Sequence, residues 1–504
     1  MSGAFPLQLQ ADQLAGAGRF AEAEAAYRAS LDIDPLFAPA ALGLAHLLMH
    51  QGRAAEAAEA TRALAGSPDA PLQAIDMHVR ILVAAGLLEE ALPMSRRAAA
   101  TGAPHAELGS AQIAANLGHF AEAEAGFRAV LAKEPGDERA RRGLARTLFA
   151  GPEGAAGALK AIDEGLAGRW SPTLALFKAS LLGQVDRPAE ALALLDDAIA
   201  RLPNAPELHA AAAAAAALDG QAEIALGHAE AALRLAPAEE AVAVLLAEAR
   251  LGVGDARGAL QLIEPLRRAQ PLDQKRIALQ QTAWRLLGDP RARALYDYER
   301  FVRCDTLDAP AGWATLGAFL HDLAGRLHAI HDGQGATLDQ SVRGGTQTNV
   351  DLTNSRDPIL RALFDALEAQ IADHVARLGQ GGDLLGEPLT ARNRGGFTFQ
   401  GAWSVRLRPG GGRHVNHTHP QGWLSSAFYV DLPPAVAGAD QEGWIQFGEP
   451  GCPTRPALGP EHSVRPEPGR LVLFPSYMWH GTRPFGGTQT RLTFAFDVVP
   501  TEPR

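Results

Sequence analysis

The sequence predicts a multidomain α + β chain: an all-α array of helical repeats followed by a β-rich domain. Three observations lead there. Small residues recur at a spacing close to 34 through the first 290 positions, which are rich in Ala and Leu. Five of the seven Trp lie after residue 300, so the texture of the chain changes there. Beyond about residue 390 the chain breaks into short alternating or aromatic runs, and five His crowd between His414 and His480. The expected divisions are 1–290 for the repeats, 291–385 for a connecting, mostly helical segment packed on the last domain, and 386–504 for the β-rich domain.

A length of 504 residues is ample for large cores. The formal net charge is −11, which argues against sequence-independent binding to a phosphate backbone, a task that needs a basic face. Two cysteines, Cys304 and Cys452, cannot build a disulfide framework or a thiolate zinc site. The start, MSGAFPLQLQADQ, lacks the basic residues and apolar run of a signal peptide, and the alanine run from Ala210 to Leu218 is too short to span a membrane. A cytoplasmic protein is the expectation.

The repeats are marked by turns. A glycine recurs at Gly18, Gly52, Gly86, Gly118 and Gly151, and the series resumes at Asp186, Gly220, Gly254 and Gly288. Glycine tolerates the backbone that a tight turn between antiparallel helices requires. Five residues after each mark but the last stands an alanine: Ala23, Ala57, Ala91, Ala123, Ala156, Ala191, Ala225 and Ala259. A small side chain there lets a neighbouring helix approach. Seventeen after the mark, Pro35, Pro135, Pro203, Pro237 and Pro271 end a helix, with Pro68 and Pro104 within one position of that spot. Tyr27, Phe127, Leu195 and Ile263, one turn past the alanine, are the expected large core residues.

A 34-residue helix–turn–helix period, clearest in GRFAEAEAAYRASLDIDP, resembles the tetratricopeptide repeat (TPR). The resemblance covers about eight units, the fifth being irregular and the ninth lacking its alanine. It implies a superhelical solenoid whose concave face holds a protein or peptide partner, hence binding rather than chemistry. An oligomerisation arm is the alternative use.

In the connecting stretch, Ala311 to Ala329 and Pro358 to Leu378 carry helical spacing of Leu, Phe and Ile. Between them RGGTQTNVDLTNSRD reads as loop and short strand. The pentapeptide GGTQT recurs at Gly486 to Thr490 and is read as two unrelated turns. The last domain offers five strands: FTFQGAWSVRLRPG, WLSSAFYVDLPP, GWIQFGEP, GRLVLFP and TRLTFAFDVVP. Such a set suggests a sandwich or barrel, a jelly roll being one solution.

The histidines fall between these strands. His417 and His419, in RHVNHTHP, are two apart, so in extended chain they share a face. His480 lies just past LVLFP, and Arg491 and Thr493 open the following strand on one face. Iron(II) suits imidazole and carboxylate ligands on one octahedral face with open positions. A nearby arginine can take a carboxylate bidentately.

That order, with His417-Thr418-His419, His480 and Arg491-Leu492-Thr493, resembles the Fe(II)/2-oxoglutarate-dependent oxygenases. NHTHPQGWLSSAFYVDLPP and PGRLVLFPSYMWHGTRPF resemble a bacterial subgroup with an HxHP motif. The resemblance implies a double-stranded β-helix (jelly-roll) domain. It implies iron on His417, His419 and His480, and 2-oxoglutarate held by Arg491, Thr493 and the strand tyrosine Tyr429. The activity implied is a dioxygenase that hydroxylates its substrate with molecular oxygen. The chain departs from the family at His419, where the usual pattern has Asp or Glu. Asp431 lies too far along the next strand to be the obvious substitute, and His414 is odd-spaced from both histidines. Asn416, Gln421 and Ser425 could hydrogen-bond in the pocket. Trp423, Trp444 and Trp479 belong to core or pocket wall, His462 to the surface, and Cys452 has no assigned role. Alternatives are a TPR scaffold with a catalytically degenerate cupin-like domain, a three-His iron dioxygenase that does not use 2-oxoglutarate, and, more weakly, a zinc hydrolase. No nucleic acid or membrane partner is expected.

Overall fold

The computed structural model describes residues 3–101, 105–332, 335–336, 338, 340–348 and 350–503, so Pro104 lies outside the described residues. The chain divides into two compact units, Met1–Leu148 and Phe149–Arg504.

The first unit is built of helices, opening with the antiparallel pairs Ala4–Gly16 and Phe20–Ile33, Ala38–His50 and Ala54–Gly66, and Leu72–Ala84 and Leu88–Ala100. Gly18, Gly52, Gly86 and Gly118 turn the chain at φ between +74° and +80°, the left-handed backbone that favours glycine. Ala23, Ala57, Ala91 and Ala123 are fully buried behind those turns, and Tyr27 and Phe127 are core residues as expected. Each ring packs where the next helix has no side chain: a Cβ at Gly43 would land on the Tyr27 ring, and one at Gly143 on the Phe127 ring. These recipient glycines were not anticipated. The signal for them, a glycine sixteen residues past each aromatic, was there to read.

The second unit begins with further helix pairs of the same kind, Pro172–Gln184 with Pro188–Arg201, Pro206–Leu218 with Ala222–Leu235, and Glu240–Gly252 with Ala256–Ala269, then Gln274–Leu286. In each unit the pairs stack as a TPR-like solenoid does. Pro203, Pro237 and Pro271 each stand two residues beyond a helix end. The fifth repeat corrects the sequence reading. Its left-handed residue is Gly154 (φ +59°). Pro152, with its fixed φ, follows Gly151 and delays the turn. Ala156 is therefore exposed, and Ala158 takes the buried place.

After the repeats come β1 (Arg303–Thr306), the helix Leu316–Asp332, β2 (Val342–Arg343), β3 (Gly345–Gln347) and the helix Pro358–Leu378. The first of these helices starts later than Ala311. Gly312 stands at φ +98°, and the Thr315 hydroxyl accepts from Ala318 N–H at 3.2 Å, so the helix begins after that cap. The second runs as expected, capped by Asp357, whose carboxylate accepts from Ile359 N–H at 2.9 Å.

The remaining strands are β4 (Gly396–Leu407), β5 (Arg413–His414), β6 (Leu424–Asp431), β7 (Ile445–Phe447), β8 (His462–Val464), β9 (Arg470–Pro475), β10 (His480–Thr482) and β11 (Arg491–Thr501). All five expected strands are present. They form a six-stranded sheet, β1-β9-β6-β11-β4-β3, a three-stranded sheet, β10-β7-β8, and a two-stranded ladder, β2-β5, with every pairing antiparallel. The larger and smaller sheets meet through Phe474 of β9 and Phe447 of β7, whose rings pack edge to face with centroids 5.0 Å apart. The pentapeptide GGTQT is strand β3 in its first copy and a bend in its second, so the shared string has no shared structure. A single hydrophobic core joins Ile277 and Trp284 of the last repeat helix to Leu367 and Ile371 of the connecting helix and to Phe428, Phe474 and Phe494 of the sheet. No helix among the described residues is long and apolar enough to cross a membrane.

Candidate metal centre

The three histidines are brought together by backbone pairing. His417 and His480 exchange hydrogen bonds, His417 N–H to His480 O at 3.0 Å and His480 N–H to His417 O at 3.1 Å. His419 N–H donates to Ser476 O at 3.0 Å, so the segment stays extended and both of its histidines turn one way. His480 is held from behind by the end of the repeat array. Trp479 N–H donates to the Tyr296 hydroxyl at 2.9 Å, and its indole N–H donates to Thr282 Oγ1 at 3.0 Å. Tyr296 in turn donates to Tyr477 O at 2.8 Å.

Each imidazole has its Nδ1 engaged on the outer side. His417 donates to Val415 O at 2.8 Å, His480 to Met478 O at 2.9 Å, and His419 to Asp497 Oδ1 at 2.7 Å. Carbonyl and carboxylate oxygens only accept, so the proton sits on Nδ1 and each Nε2 carries a free lone pair. The ligand atoms of the three lie within 4.8 Å of one another, and Nε2 of His417 is 3.2 Å from Nε2 of His419. Two nitrogens sharing one ion at about 2.1 Å and near 90–110° are about 3.0–3.4 Å apart, so the donor set fits a metal. Burial pushes the His417 imidazole down to about 3 and holds His480 well below its ordinary range, which keeps both neutral, as ligation requires.

Arg491 and Thr493 line the same cavity, which has a volume of about 590 Å³. Arg491 is 2% exposed; its Nε–H donates to Gly443 O at 3.0 Å, and its guanidinium lies 5.1 Å over the Tyr429 ring. Among the described residues no carboxylate pairs with it. Thr493 Oγ1 donates to Val405 O at 3.4 Å. Tyr429 pairs with Thr493 across β6 and β11 and is fully buried behind Arg491 rather than on the cavity wall. Among the described residues no hydrogen bond of ordinary geometry reaches its hydroxyl, and burial raises it to about 12.

Asp431 sits exposed at the end of β6 and bonds His328 at 3.3 Å, away from the histidines. His414 lines the cavity with Nδ1 3.0 Å from Ser341 Oγ, outside the three-His group. Gln421 lines the cavity, while Ser425 bonds Asp497 at 2.7 Å. Trp423 and Trp479 are core, and the indole on the cavity wall is Trp403, 5.6 Å from the His419 ring. His462, expected at the surface, is half-buried because it stacks on Tyr298 at 5.3 Å. Sequence reading missed Asp497. Its signal is parity: residues 491, 493, 495 and 497 all face the cavity from β11.

A second groove, of about 420 Å³, runs between the repeat helices Pro172–Gln184 and Pro206–Leu218. Ala179, Ala215 and Leu218 line it, with Gln340 just before β2 and Arg343 from β2 itself. Gln340 also lines the cavity of the three histidines.

Residues 401–497 match the family model described as "Putative 2OG-Fe(II) oxygenase", and residues 14–75 match that of the tetratricopeptide repeat. No curated protein matches the chain. Among solved structures, one similar chain is YrrB, a TPR protein with an unusual peptide-binding site, at 24% identity and TM-score 0.30, over 34% of this chain and 89% of that one. Another is a tetratricopeptide repeat protein from Parabacteroides merdae, at 14% identity and TM-score 0.34, over 56% and 98%. A third is MamA from Desulfovibrio magneticus, at 19% identity and TM-score 0.28, over 32% and 94%. The chain carries tetratricopeptide repeats at its N-terminal end and, at its C-terminal end, a domain that matches the 2OG-Fe(II) oxygenase family.

Proposed function

We propose that this chain is an Fe(II)- and 2-oxoglutarate-dependent dioxygenase, with its repeats recruiting the protein or peptide that is hydroxylated. In this reading residues 386–504 form a double-stranded β-helix, or jelly roll, around the site. The observation that carries the proposal is the pairing of three outward-protonated imidazoles, Nε2 lone pairs converging, with a buried arginine that has no carboxylate partner among the described residues. His417, His419 and His480 would hold iron, and Arg491 with Thr493 would hold the far carboxylate of 2-oxoglutarate. Bound iron and cosubstrate would supply oxygen activation coupled to decarboxylation, the chemistry that hydroxylates a C–H bond.

The chain's own part is orientation and shielding. The Nδ1–H bonds fix each imidazole ring. The Tyr429 ring under Arg491 keeps the guanidinium in place and dry, where its attraction for a carboxylate is strongest. Phe474, Ile445, Val405 and Trp403 give the cavity apolar walls. The groove that shares Gln340 with the cavity supports delivery of a peptide segment from the repeats to the metal.

Anaerobic titration of the protein with Fe(II) and 2-oxoglutarate tests this. A visible charge-transfer band is expected for the native protein. His480→Ala should abolish it, and Arg491→Ala should raise the 2-oxoglutarate needed by at least about tenfold while Fe(II) still binds. Iron binding with no band at any 2-oxoglutarate concentration would sink the cosubstrate assignment and favour a three-His dioxygenase. No iron binding would sink the enzyme reading.

A further inference from the structure

The third metal ligand is where non-haem iron sites with a two-His, one-carboxylate face carry their negative charge. Here that position is His419, and the carboxylate has not left. Asp497 lies directly behind it, 8% exposed, accepting from His419 Nδ1–H at 2.7 Å. The other two imidazoles donate to backbone carbonyls, which are neutral. The site is therefore asymmetric, with one charge-assisted bond out of three, and it falls on the residue that breaks the usual pattern.

The surroundings are arranged for this contact. Asp497 is opposite Ser425 on β6, and Ser425 Oγ–H donates to the same Oδ1 at 2.7 Å. Ser425 in turn lies 2.8 Å from Ser476 Oγ, whose backbone carbonyl holds His419 N–H. The pairing of β11 with β4 shifts register between Asp497 and Val498. A bulge of this kind re-aims the side chain beside it. A Cβ at Gly422 would strike Ser476 Oγ and come within 3.3 Å of the Asp497 carboxyl carbon, so only glycine leaves the pair in place. No lysine or arginine among the described residues forms an ion pair with Asp497. Its hydrogen-bond donors are His419 and Ser425.

We infer that Asp497 is a positioning residue that returns to the metal site, through His419, the negative charge lost when a histidine replaced the carboxylate ligand. A carboxylate accepting from Nδ1–H makes the imidazole a stronger donor at Nε2 and locks its ring toward the ion. Three neutral imidazoles plus Asp497 carry the same net charge as two imidazoles plus a ligating carboxylate. This rests on the metal reading above.

Metal affinity alone tests it, with Co(II) as the probe and its visible spectrum as the readout, so turnover is not needed. Asp497→Asn can still accept from Nδ1–H through its amide oxygen but removes the charge, and should weaken Co(II) binding by about 10–100-fold. The same change made in a His419→Asp background, where the ligand itself is charged, should cost less than about threefold. A residue that merely holds the fold would cost the same in both backgrounds. Equal losses in the two backgrounds, or an Asp497→Asn protein that binds Co(II) as the native one does, would overturn the inference. Should Asp497→Asn fail to fold, Asp497→Glu serves instead: its longer carboxylate should keep Co(II) affinity within about tenfold, and a loss as large as that of Asp497→Ala would overturn it. If the native protein does not bind Co(II), the metal reading fails first, and that outcome is distinct from the others.

Discussion

Arginines behave in opposite ways in the first unit and around the three histidines. In the first unit several meet carboxylates at the surface. Arg62 reaches Glu59 at 3.0 Å and Glu90 at 2.7 Å, and Arg96 reaches Glu122 at 2.6 Å. Arg491 is buried, bonded to a backbone carbonyl, over an aromatic ring. A surface pair neutralises itself and adds little. A buried cation without an anion is costly to keep: Arg267 is fully buried with backbone carbonyls as its hydrogen-bond partners, whereas Arg491 lines a cavity that an anion can enter. The surface pairs of the first unit are thus electrostatically complete, and the cavity of the three histidines is electrostatically open.

That contrast predicts which kinds of change matter in each region. In the repeats, packing should dominate. Phe127→Ala empties a fully buried ring site against Gly143 and should cost about 3–5 kcal/mol. Hydrogen exchange across the helix Phe120–Lys133 would register it as lost protection. A cost below about 1 kcal/mol would mean that the aromatic-on-glycine contact is not what holds the pairs together.

In the sheet domain, buried polar groups should dominate. His331 is fully buried under β4, with Nε2 3.0 Å from Ser404 Oγ and Nδ1 2.9 Å from Thr346 Oγ1. Ser404 donates to Thr493 O at 2.9 Å, so it accepts from His331 Nε2–H, and Thr346 donates to Nδ1. Both nitrogens are used by a neutral ring, and burial pushes it down to about 3. An unfolded histidine takes up a proton near 6.5. Between those values the unfolded chain binds a proton that the folded chain refuses. Stability is complete above pH 6.5 and falls as pH drops toward 3, by about 1.4 kcal/mol per pH unit from this group. Denaturant melts at pH 6.5 and 5 should differ by about 2 kcal/mol more in the native protein than in His331→Gln. Equal slopes would mean that His331 is hydrated or charged in the fold.

The sequence was legible where periodicity carried the information. Turn glycines, buried alanines and terminating prolines located the repeats because a helix pair repeats its steric needs every 34 residues. The five strands were readable because their alternation or apolar runs are set by the sheet's two faces. The fifth repeat was misread because Pro152 displaces the left-handed turn to Gly154, a local effect that no period encodes. Strands β1, β8 and β10 were missed because three or four residues are too few to show a pattern. The histidines and Arg491 could be named from motif spacing. Asp497 shares the parity of Arg491 on β11, but its contact with His419, 78 residues away in the chain, depends on which strands lie side by side. Spacing finds the groups that would touch the ion; the groups behind them depend on strand register.

The smallest effects separate the two regions most sharply, because one is nil and the other is a gain in stability. Arg62→Met removes both surface pairs of its guanidinium, to Glu59 and Glu90. Its partners stay in water, its own ordering entropy is released, and salt already screens the pairs. The unfolding midpoint should stay where it is, and it should remain insensitive to added salt. Arg491→Met removes a buried cation and leaves an apolar side chain of similar length against Tyr429. With no cosubstrate present it should raise stability, by about 1–2 kcal/mol. With saturating 2-oxoglutarate the order should reverse, since only the native protein gains from the ligand. If Arg491→Met instead destabilised the cosubstrate-free protein, the bond to Gly443 O would be the reason that Arg491 is buried. The cavity of the three histidines would then be as complete in itself as the surface pairs of the first unit are.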